Sequence, residues 1–315
     1  MAVLTLKNET DLIIDGGTFD GIRLDTCTRC TVRNVTVRAP VATDINSQAV
    51  RVYNSPGTLL HGLKVSAEPH DPIWGEGIHV IGSPDSAIVN CDVAAFHQGI
   101  TFGKSPRLRI EGNTVTGTRT SPIAGGAADG LQIIGNALNG SYPLNWGQTP
   151  EGDHADFCHI WTEGAHVTGV KVLANKCNQL DGVAILGIFM QNKAGDFLDC
   201  EIIGNSVTLG QPGAYRLYGI SGKLWDNEAI SLDPMAKPAT VTVHTVSGPL
   251  SVKGNVPPDV IDPRMPADQQ ALITVEPDVV QPPDPPTAPA TDWIAIEAQL
   301  AAIDAAVFAI RAMRP

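Results

Sequence analysis

A four-residue pattern recurs along the first two thirds of the chain and constrains its fold more than any other feature. In each copy a polar or turn residue is followed by Gly or another small residue, an aliphatic residue and a variable residue. Copies recur every 22–32 residues, and they begin at Asp20, Gln48, Glu76, Gln98, Asp129, Asp156, Leu186 and Tyr218. Short strands that return at such a period are typical of a solenoid.

A second strand follows at a fixed distance from each of the first four copies. Val32 lies ten residues after Ile22, and Leu60, Ile88 and Ile110 repeat this offset from their own copies. Around residues 133–145 the spacing breaks, which predicts an irregular middle coil. Gly and Asn are frequent between the strands and helical periodicity is absent, so the pattern predicts an all-β parallel β-helix of about eight or more coils, stacked ~4.8 Å apart.

The pattern also predicts the domain boundaries. Residues 1–19 are expected to cap the open end of the solenoid, and residues 20–256 to form the β-helix. Residues 257–290 are rich in Pro and acidic, which predicts an extended docking tail without a core of its own. Residues 291–315 have apolar residues at 3-4-3-4-3 spacing, which predicts an α-helix with a heptad seam.

The heptad helix admits two interpretations. Its seam consists of Trp293, Ile296, Leu300, Ile303, Val307 and Ile310. The helix could pack on the β-helix of its own chain. A regular seam beyond a Pro-rich tether favours self-association instead, as a homotrimer.

Composition excludes several classes of partner. The 315 residues carry a formal charge of −12 without a basic cluster, so nucleic acid and anionic membrane surfaces are not expected partners. No apolar run is long enough for a membrane span. Met1–Leu4 lacks the regions of a secretory signal, so either a signal has been removed or the protein leaves the cell by another route. Six cysteines are too irregularly placed for a disulfide framework, and Cys91, Cys158 and Cys177 are predicted to be buried thiols.

Polar and aromatic residues cluster in the third to sixth copies of the repeat. Carboxylates, amides, histidines and aromatic rings together are typical of carbohydrate sites. The connections 66–75 and 139–155 are long and flank the short connection 94–97, which predicts a groove. The predicted sugar-binding residues are Trp74, Trp146, Trp161, His79, Gln132, His154 and Asp153. Alternatively, the polar ladder is only a solvated surface.

If the protein cleaves a glycan, the carboxylates of the ladder are the candidate catalytic groups. Asp129 and Asp156 would lie one coil apart, roughly 5 Å, which is near the separation of retaining glycosidases. Glu76 and Asp129 would lie two coils apart, roughly 9–10 Å, near the inverting separation. His159 would act as an acid or base, and His154 would hold the carboxylate of Asp153. Close carboxylates could also bind Ca²⁺, and no other cofactor is predicted.

The repeats, Asn113, Asn175 and Asn205 of the second strand, and the segment 153–161 resemble right-handed parallel β-helix proteins of the pectate-lyase-like superfamily. Within it the chain resembles phage tailspikes and cell-surface polysaccharide-processing proteins, over about residues 10–255. Glu68-Pro69-His70-Asp71 resembles the Asp-Pro-His-Asp of alginate epimerases and lyases, although its first residue differs. The catalytic sets of the polygalacturonases and pectate lyases do not occur in the sequence.

The resemblance implies three alternative functions. The first is a virion tailspike or fibre-type protein that binds host surface polysaccharide, with or without cleaving it, and contacts other virion proteins through its C-terminal tail. The second is an extracellular bacterial polysaccharide lyase, epimerase or hydrolase. The third is a structural fibre without a glycan site. The expected location is the virion or the extracellular space.

Overall fold

The computed structural model describes residues 2–42, 44, 47–68, 73–144, 153–232, 239–257 and 261–276. In these residues nearly all regular structure is β-strand, and every strand pair is parallel. The chain passes through three sheets in turn and adds one strand to each sheet per coil. This confirms the predicted parallel β-helix.

The first sheet numbers the coils. Among the described residues it has ten strands, which we assign to coils 1 to 10 in chain order. They are Val3–Lys7, Gly21–Asp25, Gln48–Tyr53, Glu76–Ile81, Gln98–Gly103, Ile123–Ala127, Asp156–Thr162, Leu186–Gln191, Gly213–Leu217 and Val241–Val243.

The second and third sheets complete each coil. The second sheet contains Ile13–Asp15, Thr31–Arg33, Leu59–His61, Ala87–Val89, Arg109–Glu111, Gln132–Ile134, Val167–Thr168, Lys171–Leu173, Phe197–Ile203, Ile220–Trp225, Val246–Lys253 and Ile273–Val275. The third contains Thr18–Phe19, Thr36–Ala39, Lys64–Ala67, Asp92–Ala94, Thr114–Thr118, Ala137–Ser141, Lys176–Asn178, Ser206–Leu209 and Glu228–Ser231. One short helix, Ala267–Gln270, follows the last coil.

Stacked aliphatic side chains fill the interior of the solenoid. Ile22, Val50, Ile78 and Ile100 follow one another up the first sheet and are all 0% exposed. The Gly of the repeat is explained by this packing: a Cβ on Gly77 would lie 2.5 Å from Val93 Cγ1 of the third sheet. All six cysteines are free and buried, which confirms the prediction for Cys91, Cys158 and Cys177.

Asparagine side chains form a buried ladder just after the corner between the second and third sheets. In each step the side-chain oxygen of one Asn accepts hydrogen bonds from the backbone N–H and the side-chain Nδ2 of the Asn one coil earlier. Asn175, for example, accepts from Asn136 N at 3.0 Å and from Asn136 Nδ2 at 2.9 Å. The ladder comprises Asn113, Asn136, Asn175, Asn205, Asn227 and Asn255.

Two of the eight predicted repeat copies lie in a different sheet. The first-sheet strand of coil 6 is Ile123–Ala127, whose Ile123 pairs with Ile100 and Cys158. The copy at residues 129–132 runs instead into the second sheet, where Gln132 pairs with Arg109 and Lys171. The copy at 218–221 is displaced in the same way, since Ile220 pairs with Phe197 of the second sheet. Residues 133–145 look irregular in the sequence because the repeat pattern assigns the copy at 129–132 to the first sheet instead of the second.

Both ends differ from the predicted boundaries. Residues 3–19 form a complete first coil with one strand in each sheet. Residues 261–276 also lie on the β-helix: Ile261 bridges to Val243, and Ile273–Val275 pairs with Val246–Lys253. Residues 277–315, which include the last part of the predicted tail (277–290) and the whole heptad helix, lie outside the described residues. No helix of the described residues is long and apolar enough to cross a membrane.

Candidate functional site

The outer side of the first sheet, with the turns that lead into its strands, carries most of the predicted site residues. We call it the first-sheet face. The strand register stacks Ile78, Ile100, Ile123 and Cys158 in coils 4 to 7. Glu76 and Asp156 therefore occupy the same position three coils apart, or about 14 Å at ~4.8 Å per coil.

One cluster, which we call the Arg119 cluster, joins four successive turns of this face. Arg119 donates hydrogen bonds to both oxygens of Asp153, at 2.5 and 3.0 Å. Its guanidinium carbon lies 4.2 Å from the ring centroid of Trp74, which stacks on His97 at 5.9 Å. His97 Nε2 lies 4.0 Å from Asp153 Oδ1. The two long connections are thus linked across the short ones by one arginine, whose side chain is only 11% exposed.

Glu76 lies next to this cluster and contacts a histidine of its own strand. His79 Nδ1 is 3.0 Å from Glu76 Oε2 and 2.8 Å from Thr101 Oγ1. A neutral imidazole nitrogen has one proton or one lone pair, so Nδ1 cannot bond fully to both oxygens. Burial and the charge of Arg119 lower the pKa of neighbouring His97, in that order, although Asp153 and Glu76 act against them.

A second cluster, the Asp156 cluster, places two histidines on one buried carboxylate. The Asp156 side chain is 1% exposed, and His154 Nδ1 hydrogen-bonds to its Oδ2 at 3.0 Å. His159 Nδ1 lies 3.5 Å from the same oxygen. The hydrogen bond to Asp156 raises the pKa of His154, whereas burial lowers the pKa of His159. The same carboxylate therefore contacts one histidine with a raised pKa and one with a lowered pKa.

An aromatic row continues the face from the Asp156 cluster to coil 10. His159 stacks on Phe189 at 4.6 Å, and Tyr218 stacks on His244 at 4.4 Å. Trp161 meets His159 edge-on at 5.1 Å and lies under Lys193 Nζ at 4.5 Å. Phe189 meets Tyr218 edge-on at 6.1 Å, so the row is continuous from His159 to His244.

Unsatisfied buried polar groups are concentrated on this face. Among the described residues, seven buried side-chain nitrogen or oxygen atoms form no hydrogen bond of good geometry, and all seven lie on the first-sheet face. They are Arg51 Nε, Glu76 Oε2, His97 Nδ1, Arg119 Nη1, Asp156 Oδ1, His159 Nε2 and His244 Nε2. Two of them still have a histidine nitrogen nearby: Glu76 Oε2 is 3.0 Å from His79 Nδ1, and Asp156 Oδ1 is 2.9 Å from His154 Nδ1. Charged side chains on the second sheet pair along their ladders, as Glu201 does with Lys171 and Lys223.

The structure brings some predicted residues together and separates others. Trp74, Glu76, His79, Asp153, His154, Asp156, His159 and Trp161 all lie on the first-sheet face. Asp129 does not: it is exposed at the turn before the second sheet, where its Oδ1 accepts a hydrogen bond from Thr168 N. Gln132 is in the second sheet itself. Trp146 and residues 69–71 lie outside the described residues.

This placement corrects three predictions about the site. Asp129 is not in the ladder, so neither carboxylate pair that includes it has the predicted separation. His154 holds Asp156, and Arg119 rather than His154 holds Asp153. Finally, no group of three or more His, Cys, Asp or Glu side chains in the described residues is arranged to hold a metal ion, so the proposed calcium site has no ligand set there.

The residues that the sequence analysis missed are His97, Arg119, Phe189 and His244. His97 and Arg119 lie in short turns, and only the length of one of these turns was used to predict the groove. A systematic reading of the turn residues beside the long connections would have found both.

Comparison with known proteins identifies the fold. Residues 13–144 match the family model described as "Right handed beta helix region". No curated protein matches the chain in sequence.

Solved structures with glycan ligands match the chain at low sequence identity and low TM-score. Two are catalytic domains of GH87 alpha-1,3-glucanase mutants in complex with tetrasaccharides, each 11% identical, with TM-scores of 0.35 and 0.38. They match 88% and 89% of this chain, and 55% and 58% of their own. A mutant tailspike of E. coli bacteriophage HK620 in complex with a pentasaccharide is 11% identical over 86% of this chain and 62% of its own, with a TM-score of 0.36. The chain thus spans little more than half of the length of these structures.

The function of this chain therefore has to be argued from its own residues. For the fold, the three parallel sheets and the family model agree: the chain is a right-handed parallel β-helix.

Proposed function

We propose that the protein binds a polysaccharide along the first-sheet face, across the Arg119 and Asp156 clusters of coils 4 to 7. The observation that carries this proposal is the concentration on one face of seven buried polar atoms that form no hydrogen bond of good geometry, among them His97 Nδ1 and Arg119 Nη1. Buried polar groups in proteins are normally hydrogen-bonded, and leaving one unpaired costs about 1–3 kcal/mol. A ligand dense in hydroxyl groups offers both donors and acceptors to such a surface.

The Arg119 cluster supports sugar recognition in particular. Trp74 and His97 provide apolar ring surface, while Arg119 and Asp153 provide fixed donors and acceptors beside it. Carbohydrate and other small-molecule sites combine these two kinds of surface. The ion pair also pre-orders the side chains, so little conformational entropy remains to be lost on binding.

The Asp156 cluster favours acid–base processing over hydrolysis by two carboxylates. Glu76 and Asp156 are about 14 Å apart by the coil spacing, beyond the roughly 5–9.5 Å that paired-carboxylate glycosidases use. The two histidines of opposite pKa direction form the better acid–base pair: His154 would donate a proton and His159 would accept one. Such a pair suits a lyase or an epimerase.

Two biological settings are compatible with such a site. A virion tailspike or fibre-type protein acting on host surface polysaccharide remains our first choice, in which residues 277–315 would join copies of the chain and other virion proteins. An extracellular bacterial polysaccharide lyase, epimerase or hydrolase is the alternative. A structural fibre would leave the unpaired polar atoms of the face unexplained.

A glycan array followed by affinity measurements tests the proposal. After the array identifies a bound glycan, Asp156→Asn and Arg119→Gln are each expected to raise its Kd about tenfold or more, because charge-assisted hydrogen bonds are lost. Arg107→Gln is the matched control, since Arg107 forms a similar two-bond pair with Asp85 at an exposed turn outside the face.

Circular dichroism separates loss of binding from loss of folding. Asp156→Asn keeps the side-chain shape, so it covers the case in which Arg119→Gln unfolds the protein. If both variants stay folded and bind as the wild type does, the site is elsewhere. Release of unsaturated sugar from the bound glycan, lost in Asp156→Asn, would establish processing in addition to binding.

A further inference from the structure

A separate groove lies at the C-terminal end of the first-sheet face, beyond the clusters described above. Its volume is about 450 Å³, and it lies open to solvent between coils 9 and 10 and the residues that follow position 260. Its lining includes Pro212, Arg216, Thr242, His244, Asp262 and Arg264.

Two arginines in this groove have unused hydrogen-bond donors. The guanidinium of Arg216 is exposed and makes no hydrogen bond or ion pair with any described residue. It stands two coils from His159 in the same ladder, and its charge acts against the raised pKa of His154 in the Asp156 cluster. Arg264 donates from Nε and Nη2 to Asp262 at 3.0 and 2.8 Å, and its side chain remains 83% exposed. A guanidinium has five N–H donors, so three of those on Arg264 stay available. With one carboxylate against two guanidinium groups, the groove is positive on a chain of charge −12.

His244 adds an acceptor to these donors. Its Nδ1 lies 2.6 Å from Asp262 Oδ2, and its ring stacks on Tyr218. The guanidinium of Arg264 lowers the pKa of Asp262, so this carboxylate is ionised and accepts the Nδ1 proton. In the neutral ring the other nitrogen, Nε2, is then an acceptor, and it is buried without a partner in the described residues.

From this geometry we infer that the groove binds an anionic saccharide, with its acidic group on Arg216 and Arg264 and a hydroxyl group on His244 Nε2. A bare oxyanion could satisfy the arginines, but it has no proton to donate to Nε2. A neutral sugar could donate to Nε2, but it has no negative charge to pair with the guanidinium groups of Arg216 and Arg264. A uronate-type sugar meets both requirements at once.

Saturation-transfer difference NMR on the full chain tests this inference with D-glucuronate, D-glucose and inorganic sulfate. Glucuronate is expected to bind and glucose to give little transfer at the same concentration. Arg216→Gln is the cleanest variant, because its guanidinium has no described partner to lose, and it should raise the Kd for glucuronate about tenfold. Arg107→Gln is again the control and should leave that Kd unchanged.

Three results would overturn the inference. The first is no transfer to glucuronate. The second is an unchanged Kd in Arg216→Gln. The third is sulfate that displaces glucuronate with equal affinity, which would mean a site for a simple oxyanion. Because the inference does not rest on the proposed function, Arg119→Gln separates the two: a loss of glucuronate binding in that variant alone would place the ligand in the Arg119 cluster and leave the C-terminal groove without one.

Discussion

The two histidines beside Asp156 have pKa shifts of opposite direction because they differ in burial. His154 is 57% exposed on its side chain and gains a hydrogen bond to the carboxylate, which raises its pKa. His159 is mostly buried, and desolvation lowers its pKa despite the same carboxylate nearby. At a pH between the two pKa values, His154 is protonated and positively charged, whereas His159 is neutral.

NMR titration of the histidine ring protons checks this arrangement. His154 should titrate above the usual value of about 6.5 and His159 below it. Asp156→Asn should lower the pKa of both, because the carboxylate favours the charged ring in each case. Equal titration of the two rings in the wild type would contradict the arrangement.

The two histidines also affect stability in opposite directions. The raised pKa of His154 contributes stability that is fully present below its unfolded pKa and is lost as the pH rises through the folded value. The lowered pKa of His159 makes folding less favourable as the pH falls below its unfolded value. Solvent exposure screens the contribution of His154, so the histidine at 159 should dominate the acid side.

Single glycines explain where the sequence misled the assignment of the repeat. Gly77 is in a strand, where third-sheet packing excludes a Cβ. Gly130 and Gly219 have φ angles of +68° and +61°, and they lie in left-handed turns beside the second sheet. A strand that needs Gly for space and a turn that needs it for its backbone angle look alike in sequence. The error moved Asp129 and Gln132 into the predicted site.

Among the structural elements, the asparagine ladder is the clearest source of internal order. Each amide satisfies backbone and side-chain groups of the coil before it, at a corner where a left-handed residue such as Gly135 or Gly204 turns the chain. Asn175 also donates to Ile133 O and to Asn205 Oδ1. Removing one member therefore leaves several buried groups unpaired at once.

Chemical unfolding tests this dependence. Asn175→Ala is expected to lower the free energy of unfolding by about 3 kcal/mol or more, since at least two buried groups lose their partners. Asn178→Ala, in the strand that directly follows Asn175 but exposed, loses only the hydrogen bond that its Oδ1 accepts from Leu180 N and should cost much less. Equal shifts of the urea midpoint would show that the ladder does not stabilise the fold in this way.

Strands were more predictable than connections for a physical reason. An inward Ile or Val repeats because every coil needs the same core, and this is visible in the sequence. The Arg119–Asp153 pair forms only because the connections around it have particular lengths, and its residues are 34 positions apart. No periodic pattern records such a contact, so the sequence did not predict the ion pair.

For the whole molecule, the first 277 residues form one compact unit, Met1–Pro277. Its last coil is covered by residues 261–276, including buried Met265 and the strand Ile273–Val275. A chain ending at residue 277 should therefore remain folded. If the heptad prediction for residues 291–315 is right, light scattering should show the full chain as a trimer and the shortened chain as a monomer.

A chain ending at residue 257 is the informative contrast. It would expose the edge of Val246–Lys253 and part of the core, so we expect it to aggregate or to unfold at lower temperature. If the 277-residue chain keeps the mass of the full chain, the heptad helix is not the assembly device. If the 257-residue chain is as stable as the 277-residue one, the end cover is dispensable.

Because the first-sheet strands stack in register, two positions on the first-sheet face are separated along the solenoid axis by a whole number of coils. The Asp156 cluster is in coil 7 and His244 follows the strand of coil 10, so three steps of ~4.8 Å separate their levels. Gain or loss of a single coil would change this distance by one step without disturbing the core. The spacing of ligand contacts along such a protein can thus change only in steps of one coil, ~4.8 Å each.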